Sequence, residues 1–206
     1  MKLYYAPGVC SLSAHILLRE TKLPVTLVRV DLRTHLTADG VDHYTINSKG
    51  SVPVLELDDG TRFTEGPVVA QMICDRAGRT DLMPAAGTIE RYRVMEWQNY
   101  VTSELHKSYS PLFNPDFDEN GKAFLRTALR KKYEWLARQL ANQRYLTGET
   151  FTAADAYLFT VTRWAKAVRV ELADLAPIRN FMERVAARPA AVEAMHVEGL
   201  PVHKAA

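Results

Sequence analysis

The sequence predicts an α/β domain followed by an all-helical bundle, and three observations carry that reading. Every strand-prone run lies ahead of Pro67, and the first two are separated by a helical segment. Asp58-Asp59-Gly60 between two such runs is a strong hairpin signal. Beyond a stretch rich in Gly, Asp, Pro and Ala, every long segment carries apolar residues at helical spacing.

The elements follow in order. Lys2 to Ala6 is a short β-prone run, Pro7-Gly8 turns the chain, and Ser11 to Thr21 places Leu12, Ile16 and Leu17 on one helical face. Val25 to Val30 is β-branched and follows that helix directly, so it is expected to pair parallel to the first run through a right-handed crossover. Residues 31–50 are polar and weakly periodic and read as loop with at most a short helix. Val52 to Leu57 and Thr61 to Thr64 flank the hairpin signal, and Pro67 opens a helix to about Asp75, where its missing N–H costs nothing. Helices are then expected from Ile89 to about Ser108, Lys122 to about Asn142, Ala153 to about Val168 and Pro177 to about Ala187, with a short apolar tail after Pro189. The expected division is a first domain over residues 1–78, a linker over 79–87 and a helical domain over 88–206.

Bulk properties exclude several classes. The chain has 206 residues, 47% hydrophobic, enough to bury a sizeable core. A net charge of +2 is too small for a nucleic-acid footprint or a membrane-binding face. The opening MKLYYAPGVC lacks the apolar run of about 7–15 residues that a signal peptide requires. No segment approaches the roughly 18 apolar residues of a membrane span. A cytoplasmic protein is therefore expected, without nucleic-acid or membrane partners. Cys10 and Cys74 match no metal-ligand spacing, and a reducing compartment disfavours a disulfide between them. No metal is expected.

Four places are candidates for chemistry. Cys10 falls where the first strand hands over to the first helix, a setting whose backbone N–H groups and dipole favour thiolate. Position alone leaves an inert turn cysteine equally open. With Ser13 where a second cysteine would stand, no local disulfide is available, so oxidation would have to pass through a mixed disulfide with another molecule. A cis bond at Val52-Pro53 would expose a strand edge to an extended peptide, although an ordinary trans edge proline is the commoner case. Glu65-Gly66 at the start of a helix suits a ligand bearing both an amine and a carboxylate, and it suits a plain helix cap at least as well. On the first long helix, steps of three and four bring Asn99, Ser103 and His106 to one face, with Glu104 and Lys107 beside it. A His106-Lys107 pair next to a thiol would hold it as thiolate. Thr152-Ala-Ala-Asp155 is a structural capping box, and Cys74 and the three tryptophans read as core or interface.

Together these positions resemble the glutathione S-transferase family, and its bacterial beta class in particular, from Met1 to about Leu200. The stretches that carry the resemblance are KLYYAPGVCSLSAHILLRE, NSKGSVPVLELDDG, TEGPVVAQMI, SELHKSYSPLFNP and FTAADAYLFTVTRWA. The resemblance implies a thioredoxin-like domain, an α-helical domain carrying the electrophile site, a cis proline at Pro53, and a homodimer. It implies that Cys10 and His106 act in catalysis. It implies glutathione contacts at Cys10, His35, Val52, Pro53, Glu65, Gly66, Asn99, Ser103, Glu104, His106 and Lys107. Similar proteins often carry a lysine where this chain has His35. A neutral imidazole pairs weakly with the glycyl carboxylate, so affinity is expected to fall as pH rises past about 6.5.

The expected activity is addition of the glutathione thiolate to hydrophobic electrophiles, with glutathione as cosubstrate. Two alternatives accompany it: glutathione-dependent thiol-disulfide or peroxide reduction through a Cys10 mixed disulfide, and a non-catalytic ligand carrier on the same fold.

Overall fold

The computed structural model describes residues 1–201. They form two compact units: Met1–Thr80 together with the described residues from Ala187, and Asp81–Ala186.

In the first unit, β1 (Lys2–Tyr5), α1 (Ser11–Thr21) and β2 (Thr26–Asp31) make the expected βαβ unit, with Lys2 opposite Thr26 in a parallel pair. The polar stretch that follows contains a two-residue strand, β3 (Leu36–Thr37), and a single 3-10 turn, His43–Thr45. β4 (Val54–Glu56) and β5 (Arg62–Phe63) form the expected hairpin, and α2 (Gly66–Arg76) follows. β4 runs antiparallel to β1, so the sheet has the order β3-β2-β1-β4-β5.

Leu3 and Leu55, paired across β1 and β4, are fully buried with Leu12, Ile16, Leu17, Val69 and Ile73. Each such side chain contributes about 1.5–3 kcal/mol through removal from water. A second cluster gathers Tyr4, Val30, Val52 and Val54, so the backbone around Val52 is anchored in the core.

The residues after Pro189 do not form a tail. They make a helix, α8 (Pro189–Val197), that packs against α1 and belongs to the first unit. Pro189 reads as a helix stop but sits in the first turn, where the missing N–H costs nothing. Beyond it, Glu198 is buried: its Oε1 accepts from His15 Nδ1 at 2.9 Å and its Oε2 accepts the Gly8 N–H at 2.8 Å. Gly8 has φ +73, and a Cβ there would stand 3.2 Å from Leu200, so this turn admits glycine alone without strain.

The second unit holds α3 (Ile89–Tyr100), a π-helical turn (Val101–His106), α4 (Lys107–Phe113), α5 (Glu119–Gln139), α6 (Ala153–Thr162) and α7 (Ala176–Ala186). α6 is buried along its whole length and begins at Thr152, whose N–H and hydroxyl both donate to Asp155 at 2.8 Å. The other Asp155 oxygen accepts the Leu146 N–H at 2.8 Å. Inside this unit the hydroxyls of Tyr109, Tyr133 and Thr162 form a buried chain. Among the described residues, no helix is long and apolar enough to cross a membrane.

Candidate functional site

Cys10 is the residue immediately ahead of α1 and is half-buried, whereas Cys74 in α2 is sealed in the core. Its Sγ lies 3.1 Å from the carbonyl oxygen of Val52, to which the S–H donates. The side chain makes no capping hydrogen bond to the helix. The expected position ahead of the first helix is the one observed.

The Val52–Pro53 bond is cis. Neither proline statistics nor the residues around it favoured that geometry; the family resemblance did. The Val52 N–H has no hydrogen-bond partner among the described residues, so Val52 presents an unpaired donor beside the carbonyl that Cys10 touches.

Two residues that the sequence reading did not single out hold this edge in place. His43 is fully buried and its Nε2 lies 3.0 Å from the Ser51 carbonyl, which also accepts from Asn47 Nδ2 at 2.8 Å. The carbonyl can only accept, so His43 carries its proton on Nε2. Gly50 (φ +68) completes the turn, and a Cβ there would come within 2.6 Å of the Tyr44 ring. The only signals available in sequence were a turn at Lys49-Gly50 and polar residues in a weakly periodic segment.

Glu65 precedes α2 with φ +65, a left-handed conformation that costs a non-glycine residue of order 1–3 kcal/mol. Its carboxylate receives the Lys49 ammonium at 2.5 Å. At Gly66 no atom of another part of the described chain lies within 4 Å of the site a Cβ would take, so the first backbone of α2 is open to approach. His35 (φ +55) packs on Tyr44, with ring centroids 4.5 Å apart, and its buried Nδ1 has no hydrogen-bond partner among the described residues.

The expected polar face of the second unit is rearranged. The π turn over Val101–His106 adds a residue to each turn, so Asn99, Ser103 and Lys107 form the exposed stripe. His106 is rotated off that stripe: its Nδ1 lies 2.6 Å from the Tyr157 hydroxyl, and its ring packs edge-on against Trp164. Burial first, and then the Lys107 charge, pushes the His106 pKa down to about 4. His106 is therefore neutral near pH 7, and of the expected pair only Lys107 supplies a positive charge. Ser103 Oγ donates to the Asn99 carbonyl at 3.1 Å. Lys132 lies 2.9 Å from Glu104 and holds its carboxyl below the usual range. Phe113 and Tyr109 also meet Trp164 edge-on, and Phe113 is half exposed.

A thioredoxin-like sheet carrying a cysteine at a helix start beside a cis proline, followed by a helical unit, defines a two-domain protein of the thioredoxin-plus-helical class. Known proteins agree. The family profile described as glutathione S-transferase, N-terminal domain, matches residues 9–76, and the corresponding C-terminal domain profile matches residues 85–190. The chain is 46% identical to glutathione S-transferase GstA of Escherichia coli O157:H7 over 97% of its own length and 100% of that protein. Its structure is similar to that of BphK, a bacterial GST solved as a ternary complex, with TM-score 0.95 and 45% identity over 97% of this chain and 100% of that one. It is also similar to a sphingomonad glutathione S-transferase solved with glutathione, with TM-score 0.94 and 36% identity over 98% of this chain and 100% of that one. The chain belongs to the glutathione S-transferase family.

Proposed function

We propose that the protein is a beta-class glutathione transferase that binds glutathione along the Val52 edge and adds its thiolate to hydrophobic electrophiles. One observation carries the reading: the Cys10 sulfur and the unpaired Val52 N–H flank a single backbone carbonyl, at an edge to which an extended peptide can add. A peptide docked there pairs with the N–H and carbonyl of Val52, beside Pro53. Cys10 then turns its S–H from the carbonyl to the glutathione sulfur, and this hydrogen bond stabilises the glutathione thiolate. Glu65 takes the γ-glutamyl ammonium and the Gly66 N–H its carboxylate. His35 is assigned to the glycyl carboxylate.

In the helical unit, Asn99, Ser103, Glu104 and Lys107 are assigned as further glutathione contacts. His106, neutral and held by Tyr157, serves as a hydrogen-bonding group in the reaction. The half-exposed Phe113, with Trp164, is assigned to the electrophile. Ile89, Tyr92 and Met95 leave an exposed apolar strip on α3, which supports a homodimer. Two free cysteines and the need for reduced glutathione fit a cytoplasmic location.

The test is conjugation of glutathione to a chlorinated dinitrobenzene by the purified protein, followed by absorbance, with calorimetric titration of glutathione beside it. Absence of both turnover and binding overturns the reading. Cys10→Ala, which removes the donor, is expected to raise the thiol pKa of bound glutathione. An unchanged value removes Cys10 from the mechanism and leaves binding intact. A stable Cys10-glutathione disulfide with peroxide turnover, and no conjugation, favours the redox activity instead.

A further inference from the structure

The Glu65 carboxylate already has a cation against it. Lys49 Nζ donates to Glu65 Oε1 at 2.5 Å and to Thr64 Oγ1 at 2.7 Å. The lysine and glutamate side chains are 49% and 64% exposed, so a solute can reach both. The backbone under Lys49 is fixed. Its N–H donates to Asn47 Oδ1 at 3.2 Å, and Asn47 is in turn buried and bonded to Ser51. Lys49 therefore projects from a rigid turn toward Glu65, and its flexible stem leaves the ammonium free to swing by a few ångströms.

An amino-acid head carries an ammonium and a carboxylate on one carbon. Glu65 answers the first charge. The Gly66 N–H at the start of α2 answers the second with a partial charge only. We propose that Lys49 is the full-charge receptor for the α-carboxylate of the γ-glutamyl residue, and that in the free protein it stands in at Glu65 for the ligand's ammonium. Binding then exchanges one ion pair for two: the ligand ammonium displaces Lys49 from Glu65, and Lys49 closes on the ligand carboxylate. Charge is balanced before and after, and neither protein group is left bare at any stage. A ligand with the ammonium alone displaces Lys49 without giving it a partner, so the device selects for the intact zwitterionic head.

This inference rests on the assignment of Glu65 and Gly66 to the γ-glutamyl end, and the experiment separates the two. Full-length wild type, Lys49→Met and Lys49→Arg are titrated calorimetrically with glutathione and with an analogue lacking the γ-glutamyl α-carboxylate. Lys49→Met is expected to weaken glutathione about fivefold, the scale of a solvent-exposed charged contact, and to leave the analogue unchanged or slightly tighter. Lys49→Arg restores most of the glutathione affinity. Equal losses for both ligands, or no loss for glutathione, overturn the role of Lys49 while the site assignment stands. If Glu65→Gln leaves glutathione affinity untouched in the wild-type background, the site assignment falls and the inference with it. Both side chains are half exposed, and a thermal melt of each variant confirms the fold.

Discussion

The Nδ1 of His106 stands 2.6 Å from the Tyr157 hydroxyl, and burial drives that imidazole's pKa down to about 4. In the unfolded chain the same group titrates near 6.5. Between these values the folded protein binds fewer protons at His106 than the unfolded one, so stability rises with pH. The contribution is complete above about pH 6.5 and is lost as pH falls toward 4. His106→Asn is expected to flatten that part of the acid limb, measured as thermal midpoints from pH 7 to 4. An identical slope in the variant counts against a buried neutral His106.

Asp155 has the opposite sign. Burial raises its pKa to about 6, against three hydrogen bonds from Leu146 and Thr152 that favour the carboxylate. Its contribution is therefore greatest below its unfolded value of 3.8 and declines as pH rises through 6. Asp155→Ala leaves buried donors at Leu146 and Thr152 unpaired, for a loss of about 3 kcal/mol in urea unfolding. A loss below about 1 kcal/mol would show that water or a backbone shift satisfies them.

The Ser51 carbonyl is held by His43 and Asn47, and Val52 follows it directly. His43→Leu removes one of the two donors from a buried position. The expected outcome is a KM for glutathione raised about tenfold with kcat nearly unchanged, the pattern of a misplaced binding edge. His43→Gln, which keeps a donor at a similar reach, recovers most of the loss. A fall in kcat at constant KM would place His43 elsewhere in the cycle.

Glu198 accepts from both His15 and the Gly8 N–H, and the two side chains of the His15–Glu198 pair are fully buried. Arg19 Nε donates to His15 Nε2 at 3.2 Å, so the Nδ1 proton of His15 points at Glu198. Glu198→Ala strands two donors and is expected to cost about 3 kcal/mol. Because Gly8 leads into Cys10, thiol labelling of Cys10 in the folded variant should also quicken. Unaltered labelling with lowered stability would confine Glu198 to a packing role.

Much of the first unit was legible because its signals are local. β-branched runs, a helix between them and Asp58-Asp59-Gly60 predict β1, α1, β2 and the β4–β5 hairpin within a residue or two. α8 was missed because Pro189 carries the same letter whether it ends one helix or begins the next. The π turn was missed because α-helical periodicity is assumed when steps are counted. That assumption put His106 where Lys107 stands. Cys10, Val52 and Glu65 were readable as motif positions, but His43, Asn47 and Lys49 act through contacts set by a tertiary turn. No spacing along the chain records those contacts.

The Gly8–Glu198 bond joins groups 190 positions apart in sequence. On a ribosome, the turn ahead of Cys10 stays unbraced until α8 and Glu198 have been made and have cleared the exit tunnel. A chain cut short before α8 would carry every strand of the sheet and Cys10, yet lack the bolt that fixes the Gly8 turn.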